Sequence, residues 1–262
     1  MKNKIGYVLS GGGARGFAHL GVIKFLEELG IKPYAIAGTS AGAIAGALYA
    51  LGKSPEEILQ LMKNNNYFGW SNLLWHKNGF YSMKVMHTIL EEAIGKNDFD
   101  AVKTKLFFAA TDLVKGESVI LSKGKLIEAV IASASVPVVF EPVIMGDRVL
   151  VDGGVLNNFP VEPLENICSV IIGSYVNKMG DGISTQTKLS TAHIIDRCFH
   201  LAIENSVHAK VEKCCVLIEP DLHSFDMYDV KQADKIFEIG YHTAFQHKHA
   251  LIELTKNVVD TL

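Results

Sequence analysis

Apolar and amphipathic stretches alternate along the chain from its first residues, and they predict strands and helices in turn. Ile5–Leu9 is an apolar run of strand length, and Phe17–Leu29 repeats apolar residues at helical spacing before a stop at Gly30. Pro33–Ala37 predicts a second strand, and Ala41–Leu51, which is rich in small residues, predicts a second helix. This order of elements is typical of a parallel sheet covered by helices.

The rest of the chain continues this alternation. Ser54-Pro55-Glu56-Glu57 is typical of a helix start, with serine as the capping residue and proline in the first turn. We expect further strands at Lys105–Thr111, Ser118–Leu121, Val138–Ile144, Val149–Asp152, Ser169–Tyr175 and Cys214–Ile218, and further helices at Met83–Ile94, Gly124–Ala132, Thr187–Ala209 and Lys231–Lys256. The predicted fold is α/β, a three-layer α/β/α sandwich with a mainly parallel central sheet. No linker-like or repeated segment interrupts it, so one domain is expected over residues 1–262.

Composition excludes some classes of protein and favours a compartment. The 262 residues carry a net charge of −3 with scattered Lys and Arg, which argues against a nucleic-acid partner. The four cysteines form no CxxC pair, so they indicate free thiols of a reducing compartment. The apolar start is too short for a signal peptide. We therefore expect a cytoplasmic protein, with peripheral contact at the inner membrane surface left open.

Two segments raise the question of lipid contact. Tyr34–Gly52 has nineteen residues without a charge, close to the length of about 20 that spans a membrane. It is built from Ala and Gly and interrupted by Gly38-Thr39-Ser40, so a buried strand, a turn and a buried helix explain it better. Tyr67–Phe80 is rich in aromatic residues and fits either a lid facing lipid or a pair of core helices, with a slight preference for the core.

The glycine-rich loop after the first strand has two interpretations. Gly11-x-Gly13-x-x-Gly16, between a strand and a helix, fits a dinucleotide-binding fingerprint. That site also needs an acidic residue about 20 positions on, and no carboxylate lies between Glu28 and Glu56. No Gly-Lys-Ser/Thr follows, which excludes a P-loop. The alternative is that the bare amides of the loop hold another anion.

The second predicted strand ends in a G-x-S-x-G pentapeptide, Gly38-Thr39-Ser40-Ala41-Gly42. Such a sequence makes a sharp strand-to-helix turn that pushes the serine hydroxyl outward, and the two glycines avoid collisions at the bend. Ser40 is therefore a candidate nucleophile. The amides of the glycine loop end a neighbouring strand at the same edge of the sheet, so we expect them to bind the oxyanion that Ser40 would create.

A serine nucleophile also needs a base. None of the ten histidines has a recognisable catalytic context, and each is interpreted as a surface or packing residue. Asp152 ends a predicted strand and is followed by Gly153-Gly154, which leaves bare backbone behind the carboxylate. At its ordinary pKa of about 4, an aspartate is ionised at neutral pH but is a weaker base than histidine.

These three motifs together resemble the patatin-like phospholipase family. Gly-Gly-Gly-Ala-Arg-Gly at 11–16, Gly-Thr-Ser-Ala-Gly at 38–42, and Asp-Gly-Gly at 152–154 with Asn158 and Pro160 are similar to its defining motifs and occur in its order. The segments 133–137 and 229–244 resemble further parts of the family. The likeness extends over nearly the whole chain and is to the short bacterial single-domain members.

The resemblance implies a fold, an activity and roles for residues. It implies a patatin-like fold and hydrolysis of lipid acyl esters without metal or cofactor. Ser40 would be the nucleophile and Asp152 its base, with Gly38 and Gly42 forming the elbow and Gly153 and Gly154 supporting the aspartate. The oxyanion hole would comprise Gly11, Gly12, Gly13, Arg15 and Gly16. The side chain of Arg15 has two interpretations of its own. It could attract a phosphate or fix the loop, or it could simply pair with a neighbour.

Two other functions stay open. An α/β-hydrolase also uses G-x-S-x-G, with an acid and a later histidine, although the adjacent glycine triplet fits it poorly. A lipid-binding or regulatory protein could keep the fold without using the site. A lipid or small acyl ester is the expected partner, with transient membrane contact left open, and the sequence indicates neither the particular ester nor the oligomeric state.

Overall fold

The computed structural model describes residues 4–64, 84–137, 139–178, 191–227 and 230–259. Its strands are β1 Ile5–Leu9, β2 Ala35–Gly38, β3 Lys105–Asp112, β4 Glu117–Leu121, β5 Val143–Met145, β6 Arg148–Asp152, β7 Val170–Ser174 and β8 Val216–Ile218. Its α-helices are α1 Phe17–Glu28, α2 Ala41–Ala50, α3 Pro55–Asn64, α4 Lys84–Ala93, α5 Leu126–Ser133, α6 Glu162–Glu165, α7 Thr191–Val211, α8 Ala233–Gln246 and α9 Lys248–Val259. Short 3₁₀ turns lie at Gly13–Gly16, Phe99–Ala101, Gly153–Val155 and Val230–Gln232.

One sheet joins these strands. Neighbouring strands follow the order β5-β6-β3-β2-β1-β7-β8, and β4 pairs with β3 off this path. The run β3-β2-β1-β7-β8 is parallel throughout, while β4 and β6 are antiparallel to β3. The mainly parallel sheet predicted from the sequence is therefore confirmed, with an antiparallel part at one end.

Helices cover both faces of the sheet. The larger core contains apolar side chains of β1 and β2 and of α1, α2, α3, α5 and α8. The second core lies on the opposite face, where Ala35 and Ala37 of β2 meet side chains of α6 and α7. Alternate residues of a strand point to opposite faces, so β2, which is buried along its whole length, contributes to both cores. The α/β fold is thus confirmed.

Most predicted boundaries agree with the structure to within two residues, but the closing helix does not. The sequence predicts one helix over Lys231–Lys256, and the structure has α8 and α9 separated at His247. The His247 amide bonds to Ala244 O, three residues back, and this tight last turn ends α8. No Gly or Pro marks the break in the sequence. The residues predicted to face inward, Ile236, Phe237, Gly240, Ala244 and Leu251, are all buried.

Two predicted strands are shorter than expected. Cys214–Ile218 is reduced to β8, and the described part of Val138–Ile144 enters a strand only at Val143. The capping serine is confirmed, since Ser54 Oγ accepts from the Glu57 amide at 3.2 Å while Glu57 Oε2 accepts from the Ser54 amide at 2.7 Å. Within the described ranges, no helix is both long and apolar enough to cross a bilayer. The aromatic segment Tyr67–Phe80 lies outside the described residues.

Candidate active site

The turn from β2 into α2 holds Ser40 in an unusual backbone conformation. Its φ of 52° is the single positive φ of a residue other than glycine in the part of the chain that the structure describes. An L-residue with a side chain rarely adopts this conformation, so the turn stores local strain. A side chain at Gly42 would collide with the carbonyl oxygen of Leu9, and one at Gly38 would collide with the backbone of Gly42. Both glycines are therefore required by close backbone approach.

Strand pairing brings Asp152 to Ser40. Residues 105–108 of β3 pair with β2, and residues 110–112 pair with β6. One edge of β3 is occupied by β4 over residues 108–112. Both β2 and β6 therefore pair with the opposite edge, where β2 runs parallel to β3 and β6 runs antiparallel to it. Gly38 stands opposite Phe108 and Asp152 opposite Ala110, so the two strand ends meet with one residue of β3 between them.

The segment after β6 follows β3 closely. Gly153 packs against the backbone of Ala109, where any side chain would collide with the Ala109 carbonyl oxygen. The Gly154 amide donates to Asp152 Oδ1 at 2.7 Å and fixes the carboxylate orientation. Both glycines that were predicted to support Asp152 therefore contact it or the strand beside it.

Burial dominates the electrostatics of Asp152. The residue is 3% exposed, and desolvation raises the pKa of its carboxyl from 3.8 to about 6, opposed by hydrogen bonding from the Ser40 side chain and the Gly154 amide. Among the described residues, Oδ2 of Asp152 has no full hydrogen-bond partner. The interaction between the Ser40 side chain and the carboxylate is therefore weaker than a full hydrogen bond. The expectation of an ordinary pKa near 4 is therefore wrong, because it ignored burial. Asp152 is a stronger base than the sequence indicated.

The last residue of α5 and the segment after it connect the two residues. Ser133 Oγ accepts from the Ser40 amide at 3.0 Å, and Ser135 O accepts from the Asp152 amide at 2.8 Å. Ser135 Oγ donates to Ile131 O at 2.8 Å, which holds this segment to the last turn of α5. The segment 133–137 therefore sets the separation of Ser40 and Asp152.

The glycine loop lies beside Ser40 at the end of β1. A side chain at Gly11 would come within 3.2 Å of Ser40 Cβ, and one at Gly16 would contact Ala41 Cβ at 2.5 Å. The loop therefore adjoins both the serine and the first residue of α2.

The amides of the loop differ in whether they are already bonded. Gly11 N donates to Asn158 O at 3.2 Å, and Arg15 N donates to Gly12 O at 3.1 Å. Within the described part of the chain, the amides of Gly12 and Gly13 make no hydrogen bond to protein. These two amides are the donors that the loop leaves available to a ligand.

The side chain of Arg15 fixes the loop from outside. Its Nε donates to Phe225 O at 2.9 Å, and the adjacent Ala14 amide donates to Met227 O at 2.6 Å. Residues 225–227 therefore anchor the C-terminal half of the loop. This geometry agrees with the interpretation of Arg15 as a residue that fixes the loop.

His19 is the residue whose connection to the loop the sequence did not reveal. It is fully buried in α1, with Nε2 2.8 Å from Ser10 O and Nδ1 2.8 Å from Ser174 Oγ. A carbonyl only accepts, so Nε2 carries the proton and Nδ1 accepts from the Ser174 hydroxyl. Burial lowers the pKa of His19 to about 4, so the ring is neutral. The signal available in the sequence was a histidine eight residues after Gly11, in the helix that follows the glycine loop.

Comparison with known proteins shows the family to which the chain belongs. The family model for patatin-like phospholipase matches residues 7–165, which include the loop, Ser40 and Asp152. The chain belongs to the patatin-like phospholipase family. An uncharacterized NTE family protein of Mycobacterium tuberculosis is 28% identical over 90% of this chain and 45% of its own length. The lysophospholipase NTE1 of Pyricularia oryzae is 25% identical over 90% of this chain and 18% of its own length. The chain thus spans less than half the length of these relatives.

Solved structures show the same fold at low sequence identity. VipD from Legionella pneumophila superposes with a TM-score of 0.55 at 14% identity, over 97% of this chain and 67% of that one. The type III effector protein ExoU gives a TM-score of 0.51 at 13% identity, over 95% of this chain and 53% of that one. At these identities the likeness concerns the fold alone.

Proposed function

We propose that this patatin-like protein is a serine acyl-ester hydrolase in which Ser40 is the nucleophile and Asp152 the base. The observation that carries the proposal is the meeting of a strained serine turn with a buried carboxylate at the ends of β2 and β6. Within the described side chains, no histidine bonds to Ser40 or Asp152, which favours a two-residue mechanism over a triad.

The reaction begins with proton transfer from Ser40 Oγ to Asp152 as Oγ bonds to the ester carbonyl carbon. The carbonyl electron pair moves to oxygen and forms a tetrahedral intermediate. Its collapse breaks the bond to the alcohol, which leaves with the proton from Asp152. Water then gives a proton to Asp152 and attacks the acyl-enzyme, and the second collapse releases the carboxylic acid and returns the proton to Ser40.

The glycine loop supplies donors for the oxyanion in both halves of this cycle. Of the predicted set, the amides of Gly12 and Gly13 are assigned this task because the amides of Gly11 and Arg15 already bond to protein. Gly11, Gly16 and the Arg15 side chain shape and anchor the loop. One such donor contributes about 2.7–4 kcal/mol to the transition state.

A lipid acyl ester is the substrate class that family membership supports. Val155 and Leu156 follow the Asp152 loop and are exposed. The turn after β3 adds further exposed apolar residues. This turn is held to β6 by a hydrogen bond from Leu113 N to Val149 O at 2.9 Å. Apolar residues exposed beside a site indicate an apolar ligand or surface. This set comprises Leu113, Val114, Val155 and Leu156. Contact with a membrane surface stays a prediction.

Labelling with a fluorophosphonate probe tests the proposal. We expect the folded protein to form an adduct at Ser40, and neither Ser40→Ala nor heat-denatured protein to be labelled. Folded wild-type protein without an adduct would favour the alternative of a lipid-binding or regulatory protein. A hydrolysis screen over lipid classes, with Ser40→Ala as the blank, would then identify the ester.

A further inference from the structure

A buried amide side chain beside Ser40 has a donor without an acceptor. Asn158 is 2% exposed, and its Nδ2 makes no hydrogen bond within the described residues. Buried polar groups in folded proteins are almost always paired, because an unpaired one costs folding free energy. An exception next to a nucleophile therefore requires an explanation.

Asn158 lies on the side of the glycine loop where Ser40 lies. A side chain built at Gly11 would collide with Asn158 Oδ1 and would lie 3.2 Å from Ser40 Cβ. Oδ1 of the carboxamide and the nucleophile thus approach the same face of Gly11. No hydrogen bond of Nδ2 opposes a half-turn of the amide about Cβ–Cγ, and that half-turn exchanges Oδ1 for Nδ2 on this face. The main-chain oxygen of Asn158 also accepts from the Gly11 amide at 3.2 Å, so the backbone holds the residue in place independently of its side chain.

The preceding asparagine shows what a structural amide looks like in this segment. Asn157 is also buried, but its Oδ1 accepts from Lys210 Nζ at 2.7 Å and its Nδ2 donates to Glu162 Oε2 at 3.2 Å. Both polar atoms of Asn157 are satisfied by protein, whereas Asn158 keeps its donor unused. The two residues are adjacent, of the same type and both buried, so neither residue type nor exposure explains why only Asn158 has an unpaired donor.

We propose that Asn158 Nδ2 donates a hydrogen bond to the ester carbonyl oxygen as that oxygen becomes negatively charged, together with the amides of Gly12 and Gly13. This inference rests on the proposed hydrolase function. A carboxamide donor does not titrate, and it lies in a buried site where a hydrogen bond to developing charge is strong. Because Nδ2 is unpaired in the free protein, the carboxamide can make the half-turn that presents Nδ2 to the oxyanion as it forms.

The test compares Asn158→Ala with Asn157→Ala in the full-length protein, with p-nitrophenyl butyrate as substrate and an alkyl trifluoromethyl ketone as inhibitor. The ketone adds to a serine nucleophile and forms a tetrahedral oxyanion, so its affinity measures oxyanion binding. For Asn158→Ala we expect kcat to fall about 10²–10³-fold with KM changed less than threefold, and ketone affinity to fall by a similar factor. The melting temperature should stay unchanged or rise, because an unpaired buried donor has been removed.

Asn157→Ala is the matched control. It breaks bonds to Lys210 and Glu162, so we expect a lower melting temperature with kcat and ketone affinity within threefold of wild type. Asn158→Leu keeps the side-chain volume and serves as the second variant if Asn158→Ala does not fold.

Four outcomes would overturn the assignment. They are an Asn158 variant with kcat within threefold of wild type, a loss of kcat without loss of ketone affinity, equal losses in the Asn157 and Asn158 variants, and failure of both Asn158 variants to fold. Wild-type protein that neither hydrolyses the ester nor reacts with a fluorophosphonate would contradict the hydrolase function itself. An active wild type with an equally active Asn158→Ala would contradict only the role of Asn158.

Discussion

His19 and Asp152 are buried titratable residues at the carboxyl edge of this sheet, and they differ in how the fold satisfies them. His19, beneath the glycine loop, has both ring nitrogens in hydrogen bonds and a pKa lowered to about 4. Asp152, at the end of β6, has one carboxylate oxygen without a full partner and a pKa raised to about 6. Burial disfavours the charge in both cases, but only Asp152 keeps an atom available for chemistry. The comparison separates a structural residue, His19, from the proposed base, Asp152.

Removing the proposed base gives the largest effect that this comparison predicts. Asp152→Asn keeps the shape of the side chain but cannot accept the Ser40 proton, so we expect kcat to fall at least about 10³-fold while the fold is retained. The measurement is steady-state hydrolysis of p-nitrophenyl butyrate, with circular dichroism to verify the fold.

The matched control for that variant is Asp112→Asn. Asp112 is another buried aspartate at the end of the neighbouring β3, where its Oδ1 accepts from the Val114 amide at 2.9 Å. Its variant should keep activity within a few-fold of wild type. Normal activity in Asp152→Asn, together with complete loss in a single His→Ala variant, would show that the mechanism is a triad.

Stability should respond to Asp152 and His19 in opposite directions. Because the folded-state pKa of Asp152 exceeds its ordinary value of 3.8, its contribution to stability is lost as pH rises through about 6. Removing the carboxylate should therefore stabilise the protein at neutral pH. Relative to wild type, we expect the unfolding free energy of Asp152→Asn to increase by roughly 2–3 kcal/mol between pH 4 and pH 8. Urea unfolding at several pH values measures this change.

His19 provides the mirror image of that dependence. Its folded-state pKa lies below the ordinary histidine value of 6.5, so its contribution to stability is present above pH 6.5 and is lost as pH falls through about 4. A His19→Gln variant is less stable at neutral pH, and we expect its deficit to shrink by roughly 2–3 kcal/mol towards pH 4. Parallel pH curves for this variant and wild type would mean that His19 is not buried as a neutral ring.

The pH dependence of the rate should report Asp152 alone. Only the ionised carboxylate accepts a proton, so kcat/KM should rise with pH to a plateau, with an apparent pKa of about 6 and a rate about tenfold lower at pH 5 than at pH 7. An apparent pKa near 4 would contradict the effect of burial on this carboxyl.

The smallest expected effect is that of His19 on the rate. His19→Gln removes ring contacts that hold Ser10, the residue before Gly11, so we expect kcat to fall about three- to tenfold with the same apparent pKa near 6. A shift of that apparent pKa would show that His19 titrates in the mechanism and is not a purely structural residue.

The sequence predicted much of the fold and the choice of candidate residues. Ser40 was found because G-x-S-x-G followed a strand-length apolar run, and the α/β class followed from the alternation of elements. The break at His247 was missed because it comes from hydrogen bonding in the last turn of α8 and involves no helix-breaking residue. The anchoring of Arg15 by Phe225 was missed as well, because the two residues are 210 positions apart.

Local sequence determined the parts of this protein that depend on neighbouring residues: the strands, the glycine loop, the serine turn and the glycines after Asp152. Tertiary structure decided which of these parts work together. Asp152 meets Ser40 because β6 pairs with β3 directly beyond the residues with which β2 pairs. Burial then decides whether the pKa of the Asp152 carboxyl is near 4 or near 6. The unpaired donor of Asn158 likewise exists only in the folded chain. Desolvation and hydrogen-bond pairing arise from residues far apart in sequence, so no local pattern encodes them.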